Sequence, residues 1–282
     1  MEISTTVLLC PRNDEESLTI LRLAEAIGLS MVVSSQPHGA KLAKESHLLE
    51  RILEINPQVN TVVIVEIPGS KEEEMLRAQG LDVHVIDHHR YDEVDRRNAK
   101  SSLEQFCEYF KLNDEKISAL GFLPKEISWV AAIDRGFVWE LREQGYAPEE
   151  IQQALAYYRT LTLQLGEARR EKEETAAKIA WEAREEKNGI LMVRSVADDI
   201  SIRDALSFLV ATTFEKPQTV FIVQGHRRMY VQDTDAASAL FDRFGGFTFG
   251  GDRCWGILKD DGNLPKEEEI LEVLVRAIGA RV

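Results

Sequence analysis

Short apolar runs alternate with segments of helical period over the first ninety residues. The first run spans residues 5–9 (Thr5, Thr6, Val7, Leu8, Leu9) and breaks at Pro11-Arg12-Asn13-Asp14. Leu18, Leu21, Leu23, Ala26 and Ile27 then recur at helical spacing until Gly28 stops them. Met31-Val32-Val33 is a second run, and the pattern predicts a helix from Ala40 to Ile55. Residues 61–65 read as a buried strand ending at Glu66 and Pro68, residues 70–79 as helix, and Val83 to Ile86 as strand. Strands alternating with helices predict βαβ units and a parallel sheet covered on both faces. In such sheets chemistry gathers beyond the C-terminal ends of the strands. Cys10 with Asp14, then Glu66, then Asp87-His88-His89 each follow a predicted strand, so all three groups should meet at one edge.

Residues 101–145 read as helices and loops. From about Glu149 to Lys187 the chain is charged and helical, and Asn188-Gly189 reads as the stop of that helix. Residues 151–188 are therefore expected to connect a first domain, 1–150, to a second, 189–282. The second domain shows a strand at Ile190 to Val193 and a helix at Arg203 to Thr212. Val220 to Gln224 and Met229 to Gln232 read as strands joined at Gly225-His226, and Ala236 to Phe244 as a helix. A glycine-rich segment covers Gly245 to Gly251, and a helix runs from Glu267 to Ile278. The expected fold class is α/β: a parallel-sheet domain plus a smaller α/β C-terminal domain, joined by a helical connector.

Composition narrows the chemistry. The chain has 282 residues, 44 % hydrophobic and 29 % charged, which suits one large or two ordinary globular domains. No run approaches the ~20 apolar residues of a membrane helix, and the N-terminus does not read as a signal peptide. Three scattered cysteines argue for a reducing compartment, with the cytoplasm as the expectation. The net charge of −14 favours short, soluble phosphate esters over long duplexes as partners.

Carboxylates and neutral imidazoles at strand ends suit Mg, Mn or Fe. Four ordered stretches then carry a family resemblance: Val85-Ile86-Asp87-His88-His89, Ser101-Ser102-Leu103-Glu104, Ala131-Ala132-Ile133-Asp134-Arg135-Gly136, and the glycine-rich 245–256 segment. Together they resemble the motifs of the DHH-family phosphoesterases, on the branch of RecJ-type nucleases and oligoribonucleases. The resemblance implies a two-metal phosphoesterase. Carried over residue by residue, Glu66 would bridge two ions, Cys10 and Asp14 would complete one site, and Glu16, His88 and Asp134 the other. Asp87 and His89 would act beside the ligands or face phosphate; independently of the resemblance, Arg90 and Arg135 flank the metal motifs and are candidates to stabilise a phosphoryl oxygen. Mn2+ or Mg2+ is implied, with Zn2+ admitted because Cys10 stands where the family has His. Glu16 and Glu66 stand where it has Asp. In neither glycine register, Gly245-Gly246-Phe247 or Gly250-Gly251-Asp252, is the family's histidine present. Gly250, Gly251 and Arg253 remain candidate phosphate contacts, with Arg227 and Arg228 on a hairpin and Arg12 and Arg90 beside the metal motifs. His38, at a strand end, is a candidate cleft residue. Expected partners are a small phosphate ester or a short single-stranded oligonucleotide, with no membrane and a homodimer admitted. The rival reading is a non-catalytic family member that binds nucleotide, nucleic acid or protein.

Overall fold

A computed structural model describes residues 2–259 and 261–279. In chain order the first elements are β1 (Thr6–Pro11), α1 (Glu15–Ala26), β2 (Ser30–Ser34), α2 (Leu48–Ile55), β3 (Thr61–Val65), α3 (Ser70–Ala78), β4 (Asp82–Ile86) and β5 (Arg90–Tyr91). Helices α4 (Ser102–Tyr109), α5 (Asp114–Ala119), α6 (Pro124–Glu143), α7 (Pro148–Thr162) and α8 (Glu167–Glu182) follow. The chain continues through β6 (Glu185–Lys187), β7 (Ile190–Ser195), α9 (Arg203–Thr213), β8 (Val220–Gln224) and β9 (Arg228–Gln232). It closes with α10 (Ala237–Phe244), β10 (Phe247–Phe249), β11 (Cys254–Leu258) and α11 (Glu267–Gly279).

The chain forms two compact units. The first holds residues 1–88, 96–135 and 145–165, and the second holds 89–95, 136–144 and 166–282. The stretch expected as a connector, 151–188, is thus divided between them. Helix α6 crosses the division at Gly136–Phe137, where the helical path breaks and Phe137 takes φ 55°.

In the first unit, β2-β1-β3-β4 form a parallel sheet. Successive side chains of a strand face opposite sides, and the core follows that rule. Leu8, Cys10, Val63 and Val65 pack on one face with Leu23 of α1, Phe106 of α4 and Val130 of α6. Val7, Leu9, Val62 and Ile64 pack on the other with Leu48 and Ile52 of α2 and Leu76 of α3. Burial on both faces explains why these strands read as continuous apolar runs. The helix expected from Ala40 to Ile55 is shorter: α2 begins at Leu48, after a 3-10 turn at Leu42–Lys44. His47 at φ 52° ends any continuous helix there, and the Glu45 carboxylate is engaged by Ser34, Gln36 and Arg51.

In the second unit a mixed sheet runs β5-β10-β11-β9-β8-β7-β6, with only β7 and β8 parallel. Phe221, Val231, Trp255 and Ile257 bury one face with Leu240 of α10 and Leu274 of α11. Asn188-Gly189 is not a helix stop. Helix α8 ends at Glu182, and β6 pairs antiparallel with β7 across Asn188 (φ 55°) and Gly189 (φ 74°). Two successive left-handed residues make the tight hairpin turn that Asn-Gly favours.

Candidate metal centre

The parallel strands end together. Pro11 lies beside Ser34, and Val65 beside Ile86. The order 2-1-3-4 reverses direction between β1 and β3, the position where α/β sheets leave a crevice at their C-terminal edge. Each of three segments around this point contributes one acidic or imidazole group.

The first turn of α1 contributes Glu16. Asp14 caps the helix: its carboxylate accepts the Ser17 N–H at 2.7 Å, and the Ser17 hydroxyl accepts the Asp14 N–H at 3.2 Å. Glu16, 1 % exposed, then points inward, and its Oε1 accepts the Leu103 N–H at 2.7 Å. Its Oε2 is buried with no hydrogen-bond partner among the described residues. Glu66 follows β3 in the left-handed region, at φ 50°. For a residue with a Cβ that conformation costs about 1–2 kcal/mol, and such strain collects at functional positions. Its Oε1 accepts the Ser102 hydroxyl at 2.8 Å. His88 follows β4. Its Nε2 stands 3.3 Å from Glu66 Oε1 and 3.0 Å from Asp134 Oδ2 of α6.

Ligand atoms of Glu16, Glu66, His88 and Asp134 all lie within 4.8 Å of one another. Burial, then the charges of Asp134 and Glu66, push the Glu16 carboxyl well above its ordinary value. Burial also raises Asp14, partly offset by His38 and reinforced by Glu66. For His88, burial disfavours the charged ring, but Asp134 and Glu66 outweigh it and hold the imidazole well above its usual value. The cluster therefore carries surplus negative charge that protons balance. A divalent cation does the same, and three hard oxygens with one imidazole form a suitable donor set.

Cys10 and Asp14 stand outside this group. Cys10 is fully buried, and its thiol donates to the carbonyls of Pro11 (3.4 Å) and Ser17 (3.9 Å). Burial, reinforced by Asp14, Glu66 and Glu16, pushes that thiol well above its ordinary value, away from the thiolate that binds metal. Asp87 is buried, and its carbonyl accepts the Gln105 side chain at 3.0 Å. Arg135 is paired with Glu104, while Arg12 is exposed.

The remaining candidates lie in the second unit. The ring of His89 is 5.8 Å from that of Tyr91. Arg90 lies over Phe241 at 4.1 Å and pairs with Asp242 at 2.9 Å. Arg228 donates to the Ile200 carbonyl at 3.3 Å, Arg227 is half-buried, and Arg253 pairs with Glu143 at 2.9 Å. Gly250, Gly251 and Asp252 are left-handed in succession and turn the chain between β10 and β11. At Gly246, φ 96°, an added Cβ would lie 2.3 Å from the Gly256 carbonyl oxygen, so close backbone approach accounts for this glycine.

Within the motif stretch Ser101-Ser102-Leu103-Glu104, the sequence did not show that the Ser102 hydroxyl and the Leu103 N–H reach the two glutamates. The helix start itself was signalled, because Ser101-x-x-Glu104 is a capping box, with Ser101 accepting the Glu104 N–H and Glu104 accepting the Ser101 N–H. It starts α4 at this edge and leaves first-turn donors for the two glutamates.

No family model matches the chain, and no curated protein matches it. Sixteen chains of solved structures do. One is exonuclease RecJ bound to manganese, at 16 % identity and TM-score 0.43, covering 98 % of this chain and 90 % of that one. A second is an exopolyphosphatase-related protein from Bacteroides fragilis, at 10 % identity and TM-score 0.48, covering 98 % and 91 %. A third is a pGpG-specific phosphodiesterase from Vibrio cholerae, at 13 % identity and TM-score 0.39, covering 98 % and 99 %.

Proposed function

We propose that the protein is a metal-dependent phosphoester hydrolase whose substrates are short oligonucleotides, cyclic dinucleotides or nucleotide phosphates. The observation that carries this reading is the meeting of Glu16, Glu66, His88 and Asp134, with Glu16 Oε2 buried and without a hydrogen-bond partner among the described residues. These four would hold a divalent ion, Mn2+ or Mg2+ by the family resemblance. Such an ion supplies Lewis-acid polarisation of a phosphoryl oxygen and an acidified water. Ser102 and the Leu103 N–H fix the glutamates in place. In this proposal Asp87 and His89 flank the ligand His88, and exposed Arg12 meets substrate phosphate. Arg135 acts on the centre through the segment it shares with Asp134.

A second reading, a non-catalytic phosphate-ester binder, is favoured by one observation: Cys10 is a buried thiol, not a ready ligand. Mn2+-dependent hydrolysis of bis-(p-nitrophenyl) phosphate and of a short RNA separates the two. The proposal expects turnover that His88→Ala with Asp134→Ala abolishes. No turnover with Mn2+, Mg2+, Zn2+ or Co2+ would leave the binding reading.

A further inference from the structure

The sheet of the second unit has two faces of different character. Thr248 of β10 pairs with Trp255 of β11, and both are buried on the side that carries the core. Phe247 and Phe249 flank Thr248 in the strand, so their side chains take the opposite face. Both are partly exposed. Their ring centroids stand 5.7 Å apart, with the planes tilted by 35°. Phe247 pairs with Gly256, and Gly256 with Tyr230. A Cβ at Gly256 would lie 2.7 Å from the Phe247 ring and 2.9 Å from the Tyr230 ring. The two rings occupy the space that a side chain on Gly256 would fill.

Arg203, the first residue of α9, reaches this face. Its guanidinium carbon lies over the Phe249 ring, 4.6 Å from the centroid, within cation–π reach. Asp204 Oδ1 takes one side of the guanidinium, 2.9 Å from Nε and 2.8 Å from Nη2. Arg203 makes no other hydrogen bond among the described residues. Its Nη1 and the second proton of Nη2 therefore form a parallel pair of donors on a side chain that is 19 % exposed. Such a fork recognises paired acceptors, and stacking on a ring fixes its plane. A chain of net charge −14 gains little from attracting phosphate at long range. Stacking on an aromatic ring draws instead on a neutral part of the ligand.

We propose that Phe247, Phe249 and Arg203 form a nucleobase-binding platform on the second unit, with guanine as the preferred base. The base lies on Phe247, and the open edge of Arg203 donates to guanine O6 and N7. Adenine presents an amino donor in place of O6 and cannot accept both bonds. Phe249 is a positioning residue that holds the guanidinium plane. The inference rests on the proposed function, since it names the part of a nucleotide substrate that the second unit holds.

The test is calorimetric titration of the chelator-treated full chain, in which no metal-dependent turnover consumes the ligand. The probes are guanosine 5′-monophosphate, adenosine 5′-monophosphate and ribose 5-phosphate, which share a phosphate and differ in the base. Wild type should bind the guanine nucleotide about tenfold or more tighter than ribose 5-phosphate, and about fivefold or more tighter than the adenine nucleotide. Phe247→Leu should remove the advantage of both nucleotides over ribose 5-phosphate. Arg203→Lys keeps the charge and loses the fork, so it should remove the preference for guanine over adenine. Phe249→Leu should lower that preference while leaving the affinity for the adenine nucleotide in place. Circular dichroism checks that each variant is folded. Equal affinity of wild type for all three probes, or binding of none, would overturn the inference. So would a guanine preference that survives both Phe247→Leu and Arg203→Lys. Mn2+-dependent turnover of bis-(p-nitrophenyl) phosphate by the same wild-type preparation judges the proposed function separately. Turnover without a base preference would overturn the inference alone, and a base preference without turnover would overturn the hydrolase reading alone.

Discussion

Glu16 of the first unit and Arg253 of the second are both charged residues beside a turn, and their surroundings are opposite in kind. Glu16 is buried among Glu66, Asp134 and His88, with one carboxylate oxygen unbonded among the described residues. Arg253 is part-exposed and paired with Glu143. The contrast extends to the neighbours. In the first unit, Glu66 takes a strained conformation and like charges are held close. In the second, Arg90 and Arg253 have acidic partners, and Gly246 is required by the backbone passing it. Like charges held close beside an unbonded buried oxygen mark a site that a ligand completes, whereas Arg90 and Arg253, each paired with an acid, mark packing. Changes in the second unit should therefore leave cation binding alone, whereas changes at the cluster should move it.

The largest effect is expected at Gly246. Gly246→Ala forces a Cβ against the Gly256 carbonyl at φ 96° and should cost about 3 kcal/mol or more. Equilibrium urea unfolding measures it, and Mn2+ affinity of the folded fraction should be unchanged. Next comes the pH dependence of the metal-free protein. Glu16, Asp14 and His88 are all raised in the folded state. Their stabilising contribution is complete below their ordinary values and is lost as pH rises through the raised ones. With chelator present, the thermal midpoint should therefore fall as pH climbs above His88's ordinary value near ~6.5. A saturating divalent ion should reverse that fall, and Glu16→Gln should flatten it.

Trp139→Phe tests a buried carboxylate of the second unit. Asp233, left-handed at φ 54°, is pushed up to about 6 by burial, while the Trp139 indole N–H at 3.0 Å favours its charged form. Removing the donor should cost about 1–3 kcal/mol at pH 7. The cost should shrink below about pH 6, where Asp233 is protonated. A smaller effect is expected at Ser102. Ser102→Ala removes the hydroxyl from Glu66, costing about 1 kcal/mol, and should weaken Mn2+ binding about tenfold. The smallest is Arg253→Gln, below about 0.5 kcal/mol because its partner Glu143 is exposed. A large loss of cation binding in Arg253→Gln or Gly246→Ala would break the comparison.

Much of the first unit was legible. Short continuous apolar runs located its four strands, and the acids and histidines at their ends followed from that. What stayed hidden depends on three-dimensional approach. No local pattern marks Glu66 as left-handed or shows that the Leu103 N–H reaches Glu16 across the sheet edge. Strand β5, only Arg90 and Tyr91, exists because Phe247 and Thr248 pair with it. Asn188-Gly189 was misread because the same dipeptide serves a helix stop and a hairpin turn, and the short polar strand Glu185–Lys187 gave no apolar signal to decide between them.

The central claim is that the cluster of Glu16, Glu66, His88 and Asp134 holds a divalent cation. Mn2+ calorimetry on wild type and on Glu16→Gln with Asp134→Asn, both folded by circular dichroism, tests it most directly. The account predicts saturable binding with proton release in wild type, as the raised Glu16 and His88 give up their protons, and at least about a hundredfold weaker binding in the variant. Equal affinity in the two proteins, or no binding by wild type, would contradict it.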